Sequence, residues 1–104
     1  MAIDAYVQKM LDGDVNEILI RLQSRSYVER TNAIVCAVKD DLRTKQSDSL
    51  LNCLKSDETY LNHRPIGPRI CDFACAALHL LGLEPYQGTE DWVWKLIDIK
   101  MQIY

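Results

Sequence analysis

Three residues with metal-binding side chains are spaced along one predicted helix. Cys71, Cys75 and His79 lie four residues apart, a spacing that places them on one helical face. Thiolate and imidazole are ligands for zinc or iron, so a thiol- or metal-dependent protein is the alternative hypothesis for this chain. A tetrahedral site needs a fourth ligand, and the other candidates lie elsewhere in the sequence: Cys36, Cys53 and His63. Because free cysteine behaves as a small, usually buried hydrophobe, we expect these residues to pack rather than bind metal.

Sequence motifs for catalysis are missing. Nucleophilic catalysis requires a cysteine or serine with a positioned base, and the pair His63 and Cys71 has no family-specific signature around it. The chain contains no P-loop, Gly-x-Gly-x-x-Gly, His-Glu-x-x-His, EF-hand or Gly-x-Ser-x-Gly motif. With four glycines in total, a phosphate-binding loop is not expected. The sequence therefore predicts a non-enzymatic protein with no catalytic residues, no metal and no cofactor.

Composition narrows the class of protein further. The 104 residues are expected to form a single domain, 1–104, with a net charge of −3. A nucleic-acid binder would need a clustered excess of Lys and Arg, so we expect no nucleic-acid partner. No apolar run approaches the length of a membrane span, and the N-terminus has no signal-peptide pattern. We therefore expect a cytoplasmic protein with reduced cysteines, no membrane contact and a monomeric or homodimeric state.

The helix that carries the cysteines is the clearest element in the chain. Pro68 suits its first turn and Gly82 suits its left-handed end. Its apolar residues follow the helical repeat: Ile70, Phe73, Ala74, Ala77, Leu78 and Leu81. The interspersed alanines would let a neighbouring helix approach closely, so residues 68–82 are predicted to be a packing helix.

The other apolar segments are also predicted to be helical. Capping boxes at Asp14 and Ser26 start two of them, and Ser47 or Ser49 caps a short one. The alternation of residues 97–103 also fits a strand, but we favour a helix because no strand partner is evident. The predicted helices are 3–12, 14–24, 26–43 with Val28 inward, 50–56 and 89–104.

The segment 57–68 is predicted to be a loop, followed after the next helix by a turn at 83–88. The loop contains two prolines, one glycine and no apolar periodicity. Tyr60, His63 and Arg64 are the side chain types that interfaces favour, so the loop is a candidate binding segment. The alternative is a linker that only spans two helices, and the sequence leaves both open.

Three further residues complete the candidate binding set. Arg69 and Asp72 lie three apart at a helix start, where they either meet a charged ligand or, as we favour, stabilise the fold through an ion pair. Trp92 and Trp94 cannot both face the core from positions i and i+2 of a helix. One of them is expected to be exposed, to cover one end of the fold or to lie in a dimer contact.

Internal repetition predicts the architecture. Two patterns recur within the period of about 32 to 45 residues that helical repeats show: Leu19-x-x-Leu22-x-Ser24 with Leu51-x-x-Leu54-x-Ser56, and Arg30 to Cys36 with Arg69 to Cys75. A third echo, from Asp14 to Leu22 and again from Asp91 to Ile99, spans about two such periods. The chain resembles HEAT-like repeat proteins, and residues 68–82 resemble their second helix through Arg69, Ala76, Ala77, Leu78, Leu81 and Gly82. The resemblance covers residues 14 to about 100, although the first unit lacks the closing Leu-Gly.

This resemblance implies an all-α fold. The expected form is a short right-handed α-solenoid of HEAT-like antiparallel helix pairs, with about five to six helices. It also implies a protein–protein interaction module. By analogy with small acidic bacterial proteins of this kind, the specific expectation is a toxin-neutralising immunity protein or an adaptor, with a basic toxin or effector as partner.

Overall fold

A computed structural model of the chain describes residues 4–85 and 91–103. Within these ranges every regular element is helical, which confirms the all-α prediction, and a single 3-10 turn, Leu61–His63, lies between the fourth and fifth helices. The six helices are α1 (Ala5–Leu11), α2 (Val15–Leu22), α3 (Tyr27–Ala37), α4 (Lys45–Leu54), α5 (Ile70–Leu80) and α6 (Asp91–Ile103).

Helix α3 is the centre of the fold. It packs against all five other helices and against the 3-10 turn, and residues 31–38 are buried without interruption. A helix surrounded on all sides carries no single apolar stripe, which is why its sequence looks less regular than that of α5. Its buried polar groups are bonded, because Asn32 donates to the Tyr6 hydroxyl at 2.8 Å and Thr31 donates to the Val28 carbonyl at 3.0 Å. The helix with the cysteines therefore packs onto α3 rather than forming the centre itself.

Successive helices pair and the pairs lie side by side. Helix α2 packs on α3, and α4 packs on α5. The pairs meet through α2 with α4 and through α3 with α5, while α6 covers α5 and α3. The first pair is joined by residues 23–26 and the second by residues 55–69.

Two predicted helix boundaries are wrong. Helix α3 ends at Ala37 rather than near Arg43, because the chain turns there and buries Leu42. Helix α4 begins at Lys45 rather than after Ser47 or Ser49. Its N-cap is Thr44, whose Oγ1 accepts from the Ser47 amide at 3.0 Å while the Ser47 Oγ accepts from the Thr44 amide at 3.0 Å. The reciprocal box uses serine where glutamate is usual, so the sequence pattern was missed.

The C-terminal segment is helical, as favoured. Helix α6 continues to Ile103, and Val93 and Ile97, one turn apart, are both fully buried. Burial along a helical stripe explains why the alternating pattern does not form a strand. The predicted helix positions 3, 89, 90 and 104 and the end of the predicted turn, 86–88, lie outside the described residues.

In each predicted capping box, only the hydrogen bond to the N-cap side chain forms. The Asp14 and Ser26 side chains accept from the Glu17 and Glu29 amides at 3.1 and 3.3 Å. The two glutamates do not reach back but bind the guanidinium of Arg21, which raises the pKa of Arg21. Arg21 also lies 4.5 Å over the ring of Tyr6, so one side chain connects α1, α2 and α3.

Candidate functional site

The first part of the loop between α4 and α5 is held firmly. The Asp57 carboxylate binds Arg30 on α3 and accepts from the amide and hydroxyl of Thr59 at 3.0 and 2.6 Å. The carbonyls of Asp57 and Thr59 accept from the amides of Cys71 and Ile70 at 2.7 and 3.0 Å. Because first-turn amides have no partner inside their own helix, these loop carbonyls cap α5.

The last part of the loop is held as well. The Tyr27 hydroxyl donates to the Pro68 carbonyl at 2.8 Å, and its ring meets Phe73 edge-on with 6.3 Å between centroids. Burial and the charge of Asp72 raise the pKa of Tyr27, so the hydroxyl remains a donor. Arg69 donates its amide to Asp72 at 2.8 Å, and its guanidinium pairs with Asp72 and with Glu58.

The middle of the loop is exposed but has a defined turn. Residues 61–67 are all exposed. The His63 amide donates to the Tyr60 carbonyl at 3.1 Å and the Arg64 amide to the Leu61 carbonyl at 3.2 Å. Asn62 and His63 have φ of 54° and 57°, the left-handed region that Asn and His enter more readily than most residues. The turn leaves Leu61 46% and Ile66 75% exposed.

A groove of about 270 Å³ separates this turn from the start of α3. The α3 side supplies Arg25, Ser26, Tyr27 and Val28, and the loop supplies Thr59, Tyr60, Leu61, Asn62 and His63. Pockets for small molecules and cofactors usually span roughly 300 to 1,000 Å³ and enclose their ligand. At about 270 Å³ this groove is below that range and has room for roughly one or two side chains.

The predicted binding residues fall into three separate places. Tyr60 and His63 line the groove, and Arg64 follows them on the exposed turn. Arg69 is engaged in the ion pairs at the start of α5. Trp92 and Trp94 lie on α6, a helix that does not contact the 3-10 turn.

Sequence reasoning missed part of the groove. Val28 was predicted to face inward but is 49% exposed, because it lies in the first turn of α3 and the buried segment of that helix begins only at Thr31. Arg25 and Leu61 were not selected, although Leu61 directly follows Tyr60. An apolar residue in a segment without helical periodicity was the available signal for Leu61.

The two tryptophans differ in environment, as their i and i+2 spacing predicts. Trp92 is 42% exposed. Trp94 is half-buried and meets His79 with 4.8 Å between ring centroids. Trp94 therefore helps to pack α6 on α5, and Trp92 faces outward near the start of α6.

The cysteines of α5 are packed as thiols. Cys71 is buried and Cys75 is half-buried, and burial raises the pKa of both, with Asp72 acting in the same direction on Cys71 and Glu84 on Cys75. His79 turns toward the Glu84 carbonyl, with its Nδ1 at 3.3 Å. Across residues 4–85 and 91–103, no group of three His, Cys, Asp or Glu is arranged to hold a metal ion. The raised pKa keeps both groups as thiols at neutral pH, and only the thiolate is a strong nucleophile or ligand.

A second groove, more open and about 590 Å³, lies between α2 and α4. Its lining is mainly Leu19 and Leu50 with polar neighbours, namely Gln23, Lys45, Gln46 and Ser49. None of the predicted binding residues lies there.

Comparison with known proteins gives no assignment. The chain matches no protein-family model, no curated protein and no solved structure. None of the helices in the described part of the chain has the length and apolarity to cross a bilayer.

Proposed function

We propose that this protein is a non-enzymatic protein-binding module. Its binding surface, which we call the loop surface, consists of Val28, Tyr60, Leu61, His63, Arg64 and Ile66. The observation that carries the proposal is the contrast within one loop. Both ends are bonded into the fold, and the middle presents Leu61 and Ile66 to solvent on a turn of defined shape.

The exposed apolar side chains have a physical consequence. Leu61 and Ile66 add little to folding where they stand, since an exposed side chain gains little from the hydrophobic effect. Burial by a partner would recover that free energy. The turn also limits the number of loop conformations, so less entropy is lost on binding than for a flexible segment. These properties fit a segment that binds a protein better than they fit a linker that only spans two helices.

The finer architecture belongs to the same proposal. We propose a right-handed HEAT-like α-solenoid, whose concave face would add to the loop surface. The adjacent pairs α2–α3 and α4–α5 support it, since like helices meet like helices between the pairs. The covering position of α6 supports it too, because terminal units of such stacks close the apolar end.

A toxin-neutralising immunity protein or an adaptor is the specific form of this function that the chain's acidity favours. Exposed carboxylates just before α1, on the turn after α3 and on α6 would face a basic partner: Asp4, Asp40, Asp41 and Asp98. They lie on elements other than the loop surface. Such a partner would therefore be held by two different regions of the molecule.

The test compares two apolar regions of the surface. The protein is immobilised and exposed to an extract of its native host, and bound proteins are quantified by mass spectrometry. We expect one or a few proteins to bind the wild type in stoichiometric amounts and to be lost with the double variant Leu61→Ser, Ile66→Ser. The matched control is Ile20→Ser on α2, which removes a side chain that is 58% exposed.

Reconstitution completes the test. The purified partner should form a complex with the wild type and with Ile20→Ser in light scattering, and not with the loop variant. Retention of the same proteins by all three chains would contradict the proposal.

A further inference from the structure

The groove beside the loop has a charge opposite to that of the whole protein. The chain carries a net charge of −3. Arg25 lines the groove, and Arg64 directly follows the lining residue His63 on the exposed turn. Neither arginine forms an ion pair with any residue in the ranges 4–85 and 91–103. No Asp or Glu lines the groove.

The nearby carboxylates are occupied by other arginines. Glu29 follows Arg25 by four residues in the sequence but binds Arg21. Asp57, which belongs to the loop, binds Arg30 on α3.

The remaining carboxylates near the end of the loop are also paired. Glu58 and Asp72 both bind Arg69. The fold therefore uses its local acidic groups internally and leaves Arg25 and Arg64 uncompensated at the groove.

Apolar surface accompanies this charge. Val28 and Leu61 line the groove from opposite sides and are 49% and 46% exposed. An inorganic anion or a nucleic-acid backbone would satisfy the arginines but leave this apolar area in water. A peptide segment that carries a carboxylate next to an aliphatic side chain satisfies both.

We propose that the groove binds an acidic segment of a protein partner, in which an aliphatic side chain lies between two carboxylates. The aliphatic side chain packs between Val28 and Leu61, and the carboxylates pair with Arg25 and Arg64. This inference rests on the proposed function, since it names the chemistry of the partner at the loop surface. Planar guanidinium groups suit it, because they bind carboxylates through two parallel hydrogen bonds.

The experiment uses defined peptides and the full chain labelled with ¹⁵N. The probes are two peptides with blocked ends, SELDS and SKLKS, and inorganic phosphate. We expect SELDS to produce saturable amide shifts in residues 25–28 and 59–64, and SKLKS to produce none there. Phosphate alone should bind more weakly than SELDS, since it gains nothing from Val28 and Leu61.

Charge reversal provides the matched comparison. The double variant Arg25→Glu, Arg64→Glu should weaken SELDS binding by about tenfold or more. The control Lys9→Glu, Lys95→Glu has the same net charge, alters two exposed lysines on α1 and α6, and should bind as the wild type does. Unchanged amide dispersion confirms that each variant is folded.

Three outcomes would overturn the inference. These are equal binding of SKLKS, equal weakening by the lysine control, and phosphate shifting the same amides as tightly as SELDS. The proposed function and this inference can be tested separately, because different variants report on each. If the host partner is lost with Leu61→Ser, Ile66→Ser but retained by the arginine reversal, the binding module stands and the acidic segment does not.

Discussion

The two helix pairs cap the start of their second helix in different ways, and this difference bears on the proposed function. Between α2 and α3, two serines of the connection 23–26 form hydrogen bonds at the start of α3. Ser24 Oγ accepts from the Ser26 amide at 3.1 Å, and the Ser26 side chain caps α3. Between α4 and α5, the N-cap residue Arg69 has no side-chain oxygen, and the loop carbonyls of Asp57 and Thr59 cap the helix instead.

This difference divides the longer connection into parts with separate roles. In the short connection both serines accept hydrogen bonds at the start of α3. In the long connection the two ends form the hydrogen bonds and ion pairs to α3 and α5, and residues 61–67 remain exposed. A stable fold can therefore vary this middle part freely, which is the usual condition of binding loops.

The second helices of the two pairs, α3 and α5, also differ in how deeply their cysteines are buried. Cys36 lies on α3 and Cys75 on α5, yet Cys36 is fully buried and Cys75 only half-buried. Burial raises the pKa of the Cys36 thiol to about 11. A raised pKa keeps this group protonated at pH 8, with roughly one molecule in 1,000 as the reactive thiolate.

The largest expected effect is therefore on thiol reactivity. With iodoacetamide at pH 8, we expect the exposed Cys53 to react first, Cys75 more slowly, and Cys36 only when the protein unfolds. Peptide mass spectrometry with and without urea measures the three rates. Equal rates for Cys36 and Cys53 in the native protein would show that α3 is not the enclosed central helix.

The next largest effect concerns the anchor of the long connection. Asp57→Ala removes the partner of Arg30, whose Nε already lacks a hydrogen bond within the described residues. Leaving this largely buried cation unpaired should lower the free energy of unfolding by about 3 kcal/mol in urea titrations. Hydrogen exchange at the Cys71 and Ile70 amides should accelerate as well.

The control for this anchor is an ion pair nearer the surface. Asp48→Ala removes the partner of Arg43, which is 34% exposed, and should lower stability by only about 0.5 kcal/mol. Equal losses for the two variants would mean that Asp57 is an ordinary surface residue and does not hold the loop.

A smaller effect is expected in the short connection. Ser26→Ala removes the side-chain cap of α3 and should lower the free energy of unfolding by about 1 kcal/mol. Ser49→Ala, at an exposed position inside α4, serves as the control and should be neutral or slightly stabilising because alanine favours helix. A neutral Ser26→Ala would indicate that tertiary contacts alone hold the start of α3.

The smallest effect is expected at the middle of the long connection. The double variant Leu61→Ser, Ile66→Ser should change stability by no more than about 0.5 kcal/mol, since both side chains are exposed. Thermal unfolding of the same sample used for partner capture checks this. A loss as large as that of Asp57→Ala would make these residues part of the fold and weaken their role in binding.

The sequence by itself determined the helical class and most helix starts. Its signals are local: Asp14 and Ser26 accept hydrogen bonds from amides three residues ahead, and apolar residues repeat along α5 and α6. Such patterns act within one or two turns, so they can be read without knowing the neighbours. The position of the loop before α5, and Tyr60 and His63 within it, followed from the same kind of signal.

Only the tertiary structure decided which helix is central and which side chains meet. Residues from different elements meet around the buried residues 31–37 of α3, in the pair of Arg30 with Asp57, and in the two glutamates that bind Arg21. The groove depends on them, because Arg25 and Arg64 are left uncompensated only once the other arginines have taken the nearby carboxylates. Charge pairing between elements is set by three-dimensional distance, which spacing along the chain does not encode.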